Sequence, residues 1–178
     1  LVARSVLEVR RGKGTYITQN PGEIPDPLGF TYCPDQLRLA MDLLEIRAQM
    51  EPWVAKTAAE RATEDNLKAL RETCAMVEQD ILNEQDHSQS DVRYHTAIAT
   101  CTQNLVVPKL IPIITHAIKL FVSLTERRLK METLVGHREI LDAICSKDGE
   151  RAANAMGQHI EYNRVMLEEY RREPPGGE

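Results

Sequence analysis

Three histidines and one aspartate occupy positions on the apolar faces of predicted helices. Asp91 and His95 are one helical turn apart, so their side chains project from the same face of one helix. His137 is in line with the leucine and isoleucine residues of a second predicted helix, and His159 is in line with the methionines of a third. The sequence therefore predicts that three helices each bring one imidazole, and one of them also a carboxylate, into the core.

The chemistry that suits this set is the binding of a divalent metal ion. A polar group that is buried without a partner costs about 1–3 kcal/mol, and an ionised carboxylate costs more. Imidazole and carboxylate are ligands of Zn, Ni, Fe, Mn and Co, among which we favour zinc or nickel. The alternative is that each histidine is an ordinary core residue with its own hydrogen bonds. The residues alone leave both interpretations open, and His116, on an apolar run, is a fifth candidate.

The elements that must position these side chains are helices. Apolar residues recur every three to four positions, and they predict helices at about 34–62, 63–82, 88–102, 104–128, 132–147 and 148–172. Prolines at positions 52, 108 and 112 predict bends. The predicted fold is all-α, an antiparallel helical bundle over residues 36–172 with short loops.

The N-terminal segment has a different pattern. Residues 5–18 read SVLEVRRGKGTYIT, in which β-forming residues flank a Gly-Lys-Gly turn, and they predict a β-hairpin. A single hairpin is barely stable alone, so we expect residues 1–18 to be the end of a further N-terminal domain. Arg10, Arg11 and Lys13 suit contact with a polyanion, although a solvated surface turn fits the segment equally well. Residues 19–35 predict a linker, and residues 173–178 predict a disordered tail.

The composition excludes several classes of protein. The 178 residues include 22 Lys and Arg against 27 Asp and Glu, a net charge of −5, so a globally basic nucleic-acid coat is excluded. Hydrophobic residues make up 42% and aromatic residues 4%, which favours a helical core over a β-sandwich. The four cysteines form no C-x-x-C pair, which is typical of a reducing compartment. The first residues lack a secretory signal and the most apolar run is interrupted by prolines and lysines, so we expect a cytoplasmic protein without a membrane span.

The hairpin resembles part of a known DNA-binding domain. The string RRGKGTYI, residues 10–17, is similar to the wing at the end of the winged-helix domain of the GntR family of bacterial transcription regulators. This resemblance implies that Arg10, Arg11 and Lys13 contact operator DNA and that the regulator is a homodimer. It covers only the last part of that domain, so we expect the recognition helix to lie outside this chain.

The helical region resembles the FCD effector domain of the FadR subfamily of GntR regulators. The stretches that carry the resemblance are LEIRAQMEPWVAKTAAERAT, DVRYHTAIATCTQN, HREILDAI and AANAMGQH, at residues 44–63, 91–104, 137–144 and 152–159. The resemblance covers about residues 36–172 and implies a bundle of six or seven helices. In many members one Asp and three His bind a metal. Carried over by position, these ligands are Asp91, His95, His137 and His159, so the sequence resembles the metal-containing branch.

The resemblance also implies a small carboxylate or hydroxy-acid effector. Arg47 is either a surface residue that pairs with Glu51 one turn away or a clamp for the effector carboxylate, and the resemblance favours the clamp. Asn163, one turn after His159, is expected to donate a further hydrogen bond. The predicted function is a ligand-responsive transcription regulator in which the effector shifts the population that binds DNA. One alternative is a metal-dependent enzyme acting on a small organic acid, but no nucleophile or general base is predicted next to the metal ligands. The other alternative is a protein-interaction module in which the metal is purely structural.

Overall fold

The computed structural model describes Val2 and residues 7–17, 26–115 and 130–172 of the chain. The chain divides into two compact units, Leu1–Cys33 and Pro34–Glu178. The first unit contains a β-hairpin and a short 3-10 helix at Phe30–Tyr32. The second contains all of the described α-helices. The predicted extents of the linker and of the disordered tail stay predictions, since much of the linker and the whole tail lie outside the described residues.

The hairpin forms where the Gly-Lys-Gly turn predicts it. Strand β1, Leu7–Arg10, pairs antiparallel with strand β2, Gly14–Ile17, in a register that places Arg10 opposite Gly14. Gly12 and Gly14 have φ values of 77° and 109°, which L side chains rarely adopt, so glycine is needed at both positions. The backbone N–H of Lys13 closes the turn by donating to the Arg10 carbonyl at 2.8 Å.

Six α-helices are present among the described residues, and the prediction of an all-α fold is confirmed for them. They are α1 Gln36–Arg61, α2 Glu64–Leu82, α3 Ser88–Cys101, α4 Val107–Ile114, α5 Lys130–Cys145 and α6 Gly149–Arg172. Helix α1 continues through Pro52. The predicted extension of the fourth helix beyond residue 115 lies outside the described residues. None of the helices described is both long and apolar enough to cross a bilayer.

Side-chain caps fix where the first two helices begin. The Asp35 carboxylate accepts the Arg38 backbone N–H and starts α1. Helix α2 begins with a capping box, in which the Thr63 hydroxyl accepts the Asn66 backbone N–H and the Asn66 side chain accepts the Thr63 backbone N–H. These caps satisfy amide groups that have no partner inside the helix. The predicted start of the second helix at about residue 63 is thus confirmed.

All six described helices contribute to the core of the helical unit, and the part of it that surrounds the buried histidines lies between α1, α3, α5 and α6. Helix α1 contacts the other three, and α5 packs along α6. The buried apolar side chains come from every one of these helices, and Leu44, Ile98, Ile140 and Met156 are each at most 1% exposed. Such burial at three- to four-residue spacing is what holds short helices together in water. The four helices therefore enclose a shared interior, in which polar side chains also occur.

Candidate metal centre

Three imidazoles from three helices meet in this interior. His95 of α3, His137 of α5 and His159 of α6 are 1%, 1% and 3% exposed. Their ring centroids are 5.6 Å apart for His95 and His137, 5.5 Å for His95 and His159, and 4.8 Å for His137 and His159. One nitrogen of each ring lies within 4.8 Å of the corresponding atoms of the other two. The structure thus brings together the three histidines that the sequence singled out.

Asp91 lies beside this cluster, on α3 and one turn before His95. The residue is 5% exposed, and its Oδ1 is 3.1 Å from His137 Nε2 without the alignment of a hydrogen bond. Two atoms at about 2.1 Å from one ion are about 3.0 Å apart at right angles and about 4.2 Å apart on opposite sides. The Asp91–His137 separation already has the first spacing. The histidine nitrogens lie within 4.8 Å of one another. Since only one pair among three ligands can be opposite, the other pairs are about 3.0 Å apart around a six-coordinate ion, and any pair farther apart than this must close when the ion binds.

Seven buried polar atoms of the described residues in this region lack hydrogen-bond partners. Two of these atoms belong to Arg47 and two to His137, and one belongs to each of Asp91, His95 and His159. They include the Nε2 atoms of all three histidines. An unpaired buried polar atom costs about 1–3 kcal/mol, and native proteins keep few of them. The lone pairs of the unpaired imidazole and carboxylate atoms fit a cation that accepts several of them at once, whereas the two Arg47 nitrogens are donors and fit an anion. The donor set, three imidazoles and a carboxylate, fits a divalent transition metal.

Burial sets the charge state of these groups. It lowers the pKa of both His137 and His159 well below 6.5, an effect to which the nearby histidine and arginine charges add. Burial also raises the pKa of the Asp91 carboxyl, against the opposing pull of His95 and Arg47. Neutral imidazoles keep the lone pairs that metal ligation requires. His137 and His159 are therefore in a ligating form at neutral pH.

Arg47 and Glu51 form an ion pair inside the protein rather than on its surface. Arg47 is 0% exposed, Glu51 is 1% exposed, and Arg47 Nε donates to Glu51 Oε1 at 2.5 Å. The i, i+4 pairing with Glu51 is present, but the alternative that Arg47 is a surface residue is wrong, because this face of α1 packs against α3 and α6. Both terminal guanidinium nitrogens of Arg47 are unpaired. The effector role of Arg47 stays a prediction.

Glu51 is a residue of the site that the sequence indicated only as a partner of Arg47, without a link to the histidines. Its Oε2 is 2.5 Å from His95 Nδ1, so it contacts one of the three clustered histidines directly. Burial alone would raise the pKa of the Glu51 carboxyl, but the charges and hydrogen bonds of Arg47 and His95 outweigh it and hold that pKa well below its usual value. The signal in the sequence was its spacing, one turn after Arg47 on a helix with an apolar face.

Asn163 is 6% exposed on α6, one turn after His159, and its contact with an effector stays a prediction. His87, at the start of α3, is 5% exposed, and its charge contributes to the pKa of Asp91. His116 lies outside the described residues.

A cleft of about 280 Å³ between α5 and α6 reaches the cluster through His159. Gly136, Gln158 and Tyr162 also line it. A Cβ atom at Gly136 would lie 3.2 Å from His159 Nδ1, which is tighter than an ordinary contact. Glycine at this position of α5 therefore leaves room for the His159 ring.

The basic residues of the hairpin are solvent-exposed. Arg10 donates to Glu8 at 2.8 Å, and its guanidinium lies 5.1 Å from the centre of the Tyr16 ring. Arg11 and Lys13 occupy the turn between the strands. Contact of all three with DNA stays a prediction.

Comparison with known proteins identifies the family. The FCD domain model matches residues 42–162. The chain is 29% identical to the Uxu operon transcriptional regulator of Escherichia coli over 96% of this chain and 69% of that protein. It is 29% identical to the galactonate operon transcriptional repressor of E. coli over 87% of this chain and 71% of that protein. A solved structure of Streptococcus agalactiae GntR superposes with a TM-score of 0.81 at 36% identity, covering 92% of this chain and 76% of that one.

These relatives are transcription regulators, so the prediction that the chain is not an enzyme is confirmed and the enzyme alternative is not supported. The family resemblance predicted from the four helical stretches and the wing is confirmed as well. The chain belongs to the FCD-domain, FadR-like regulators of the GntR family.

Proposed function

We propose that this chain is the sensing region of a ligand-responsive transcription regulator that binds a divalent metal and a small hydroxycarboxylate. The metal ligands in this proposal are Asp91, His95, His137 and His159. The observation that carries it is the convergence of unpaired, buried nitrogen and oxygen atoms on one point between three helices. A core of ordinary histidines would instead have each ring satisfied by its own neighbours.

The metal would supply positive charge and coordination positions for oxygen ligands in an otherwise buried interior. Zinc or nickel suits three imidazoles and one carboxylate, and manganese or iron is compatible with the same set. Four protein ligands around a six-coordinate ion leave two positions, which a carboxylate and a neighbouring hydroxyl can occupy. A closed tetrahedral site would leave none and would be structural.

Arg47 is the second feature that supports an acidic effector. Its buried guanidinium has two terminal nitrogens without a protein partner, and two parallel N–H groups match the two oxygens of a carboxylate. Asn163 would add a hydrogen bond to a hydroxyl or carboxylate oxygen. Galactonate, which occurs in the name of one of the relatives, is a carboxylate with hydroxyl groups and has the required chemistry.

Binding of the acid would be read out as a change in DNA affinity. An effector shifts an equilibrium only by its different affinity for two states, so we infer that the helices around the centre have two arrangements. In a homodimer these arrangements would change the spacing of the two wings, in which Arg10, Arg11 and Lys13 contact operator DNA.

The test is a thermal-unfolding screen combined with metal analysis of the purified protein. D-galactonate, L-lactate and citrate are each added with and without Zn²⁺ or Ni²⁺, and D-galactose serves as the neutral control. We expect one equivalent of metal, and a rise in Tm with at least one acid that requires the metal. Absence of bound metal would refute the metal centre, and metal binding without any acid response would leave only a structural site.

Variants localise the site. We expect His137→Ala and His159→Ala to lose the metal together with the acid response, and Arg47→Gln to keep the metal but lose the acid response. Asp42→Asn is the control, because Asp42 lies on α1 with its side chain 66% exposed. Retention of one equivalent of metal in both histidine variants would contradict the ligand assignment.

A further inference from the structure

Glu51 joins two groups that the proposed function uses separately. One carboxylate oxygen, Oε1, accepts from Arg47 Nε, and the other, Oε2, contacts His95 Nδ1, both at 2.5 Å. Each of the three side chains is at most 2% exposed. The result is a continuous chain of charge-assisted contacts from the candidate acid-binding arginine to a candidate metal ligand.

The first consequence concerns His95. A carboxylate oxygen can only accept, so the ring nitrogen that faces it, Nδ1, carries the hydrogen. In the neutral ring, the lone pair is then on Nε2, the unpaired atom of His95. A carboxylate on the far nitrogen of a metal-binding histidine fixes the ring orientation and makes the ligand more basic. Glu51 therefore orients His95 toward the cluster.

The second consequence concerns Arg47. Its Nε is held by Glu51, which fixes the plane of the guanidinium while both terminal nitrogens stay unpaired. Arginine carries about 2 kcal/mol of rotamer entropy, part of which is lost whenever the side chain is ordered. A guanidinium that is already held by Glu51 loses less freedom when it binds a carboxylate.

We propose that Glu51 is a positioning residue that couples metal binding to carboxylate binding. This inference rests on the proposed function. A metal on His95 Nε2 strengthens the Nδ1–H···Oε2 hydrogen bond, which holds the Glu51 carboxylate and with it the Arg47 guanidinium. Binding of an acid to Arg47 orders the same chain from the other end. By reciprocity, each ligand then raises the affinity for the other.

The experiment measures that coupling by isothermal titration of Zn²⁺ into the metal-free chain, alone and with saturating D-galactonate, L-lactate or citrate. The coupling is the ratio of the two Zn²⁺ Kd values. It is compared between the wild type, Glu51→Gln and the control Glu45→Gln, which removes the same charge from an exposed position of α1. Glutamine keeps the size of Glu51, but its amide NH2 faces an N–H donor on one side, so one of the two contacts is lost.

We expect Glu51→Gln to bind one equivalent of Zn²⁺ about 10–100-fold more weakly. We also expect its coupling ratio to fall at least about fivefold relative to the wild type, within the usual range of allosteric couplings. Glu45→Gln should match the wild type in both. A weaker Zn²⁺ affinity with a coupling ratio within twofold of the wild type would overturn the proposal, since Glu51 would then support only His95.

Direct contact between the acid and the metal also couples the two ligands. That contribution to the coupling does not pass through Glu51, so it remains in Glu51→Gln, and the difference from the wild type gives the contribution of Glu51. No Zn²⁺ binding by the wild type, or no change with any of the three acids, would overturn both the proposed function and this inference. Unchanged coupling in Glu51→Gln overturns the inference alone.

A second measurement covers the case in which Glu51→Gln does not fold. In a long-range ¹H–¹⁵N spectrum of the Zn²⁺-loaded wild type, His95 should show a protonated Nδ1 with a strongly downfield proton, and that proton should shift when the acid is added. A His95 ring without a hydrogen on Nδ1, or a signal that the acid leaves unchanged, would overturn the proposal.

Discussion

Gly136→Ala should separate the stability of the fold from the geometry of the metal centre. Gly136 precedes His137 on α5, and a Cβ there would lie 3.2 Å from His159 Nδ1 and 3.5 Å from His159 Cβ. Restoring the lower limit of an ordinary contact, 3.4 Å, requires His159 to move by about 0.2 Å. This displacement is as large as the usual spread of metal–ligand distances, about 0.2 Å, so we expect the methyl group to disturb ligation by His159.

The expected magnitudes follow from two opposing effects. Alanine in a helix is more favourable than glycine by about 1 kcal/mol, whereas mild overpacking costs about the same, so the metal-free protein should change little in stability. When the metal holds His159 in place, the ring cannot relax away from the methyl group. About 1 kcal/mol of strain then appears as a roughly fivefold weaker metal affinity.

Gly157→Ala is the matched control. It also replaces a helical glycine, on α6, but its Cβ would lie 4.0 Å from the Pro52 ring, an ordinary contact. We expect it to stabilise the protein by about 0.5–1 kcal/mol and to leave metal affinity unchanged. The assays are urea unfolding of the metal-free protein and Zn²⁺ titration against a competing chelator. Equal Zn²⁺ affinity in Gly136→Ala, Gly157→Ala and the wild type would refute the reasoning.

The remaining predictions concern pH, one buried hydrogen bond and the wing. Burial lowers the pKa of His137 and His159, so below about pH 6.5 the unfolded chain binds protons that the folded chain does not. Urea unfolding of the metal-free protein should therefore show stability falling as the pH drops from 6.5, by up to about 1.4 kcal/mol per pH unit for each ring; equal stability at pH 7.5 and 5.5 would contradict this. Tyr94 is 0% exposed, and its hydroxyl donates to the His137 backbone carbonyl at 2.8 Å. Tyr94→Phe should therefore lower the free energy of unfolding by about 1 kcal/mol, and an unchanged urea midpoint would argue against the contact. Replacing Arg11 and Lys13 by Ala should reduce the slope of log affinity against log salt for duplex DNA by about two, measured by fluorescence anisotropy, and an unaltered slope would exclude them as phosphate contacts.

The local pattern of the chain was enough to predict the helices and the faces on which the histidines lie. Helical periodicity is a property of neighbouring residues, so the positions of Asp91 and His95 on one face followed from their spacing alone. The start of α2 followed in the same way from the cap at Thr63. These features depend on contacts within one or two helical turns, which a sequence records directly.

Contacts between helices required the tertiary structure. The Glu51–His95 contact joins residues 44 positions apart, and the Asp91–His137 approach joins α3 to α5. Periodicity gives the face of a helix but neither its axial position nor its crossing angle, which the packing of the whole core decides. For the same reason the sequence offered the Arg47–Glu51 pair only as a surface alternative and did not reveal its burial. The amino-acid sequence thus determined the helix faces on which Asp91 and the three histidines lie, and the packing of α1, α3, α5 and α6 decided which polar groups are buried and which of them meet.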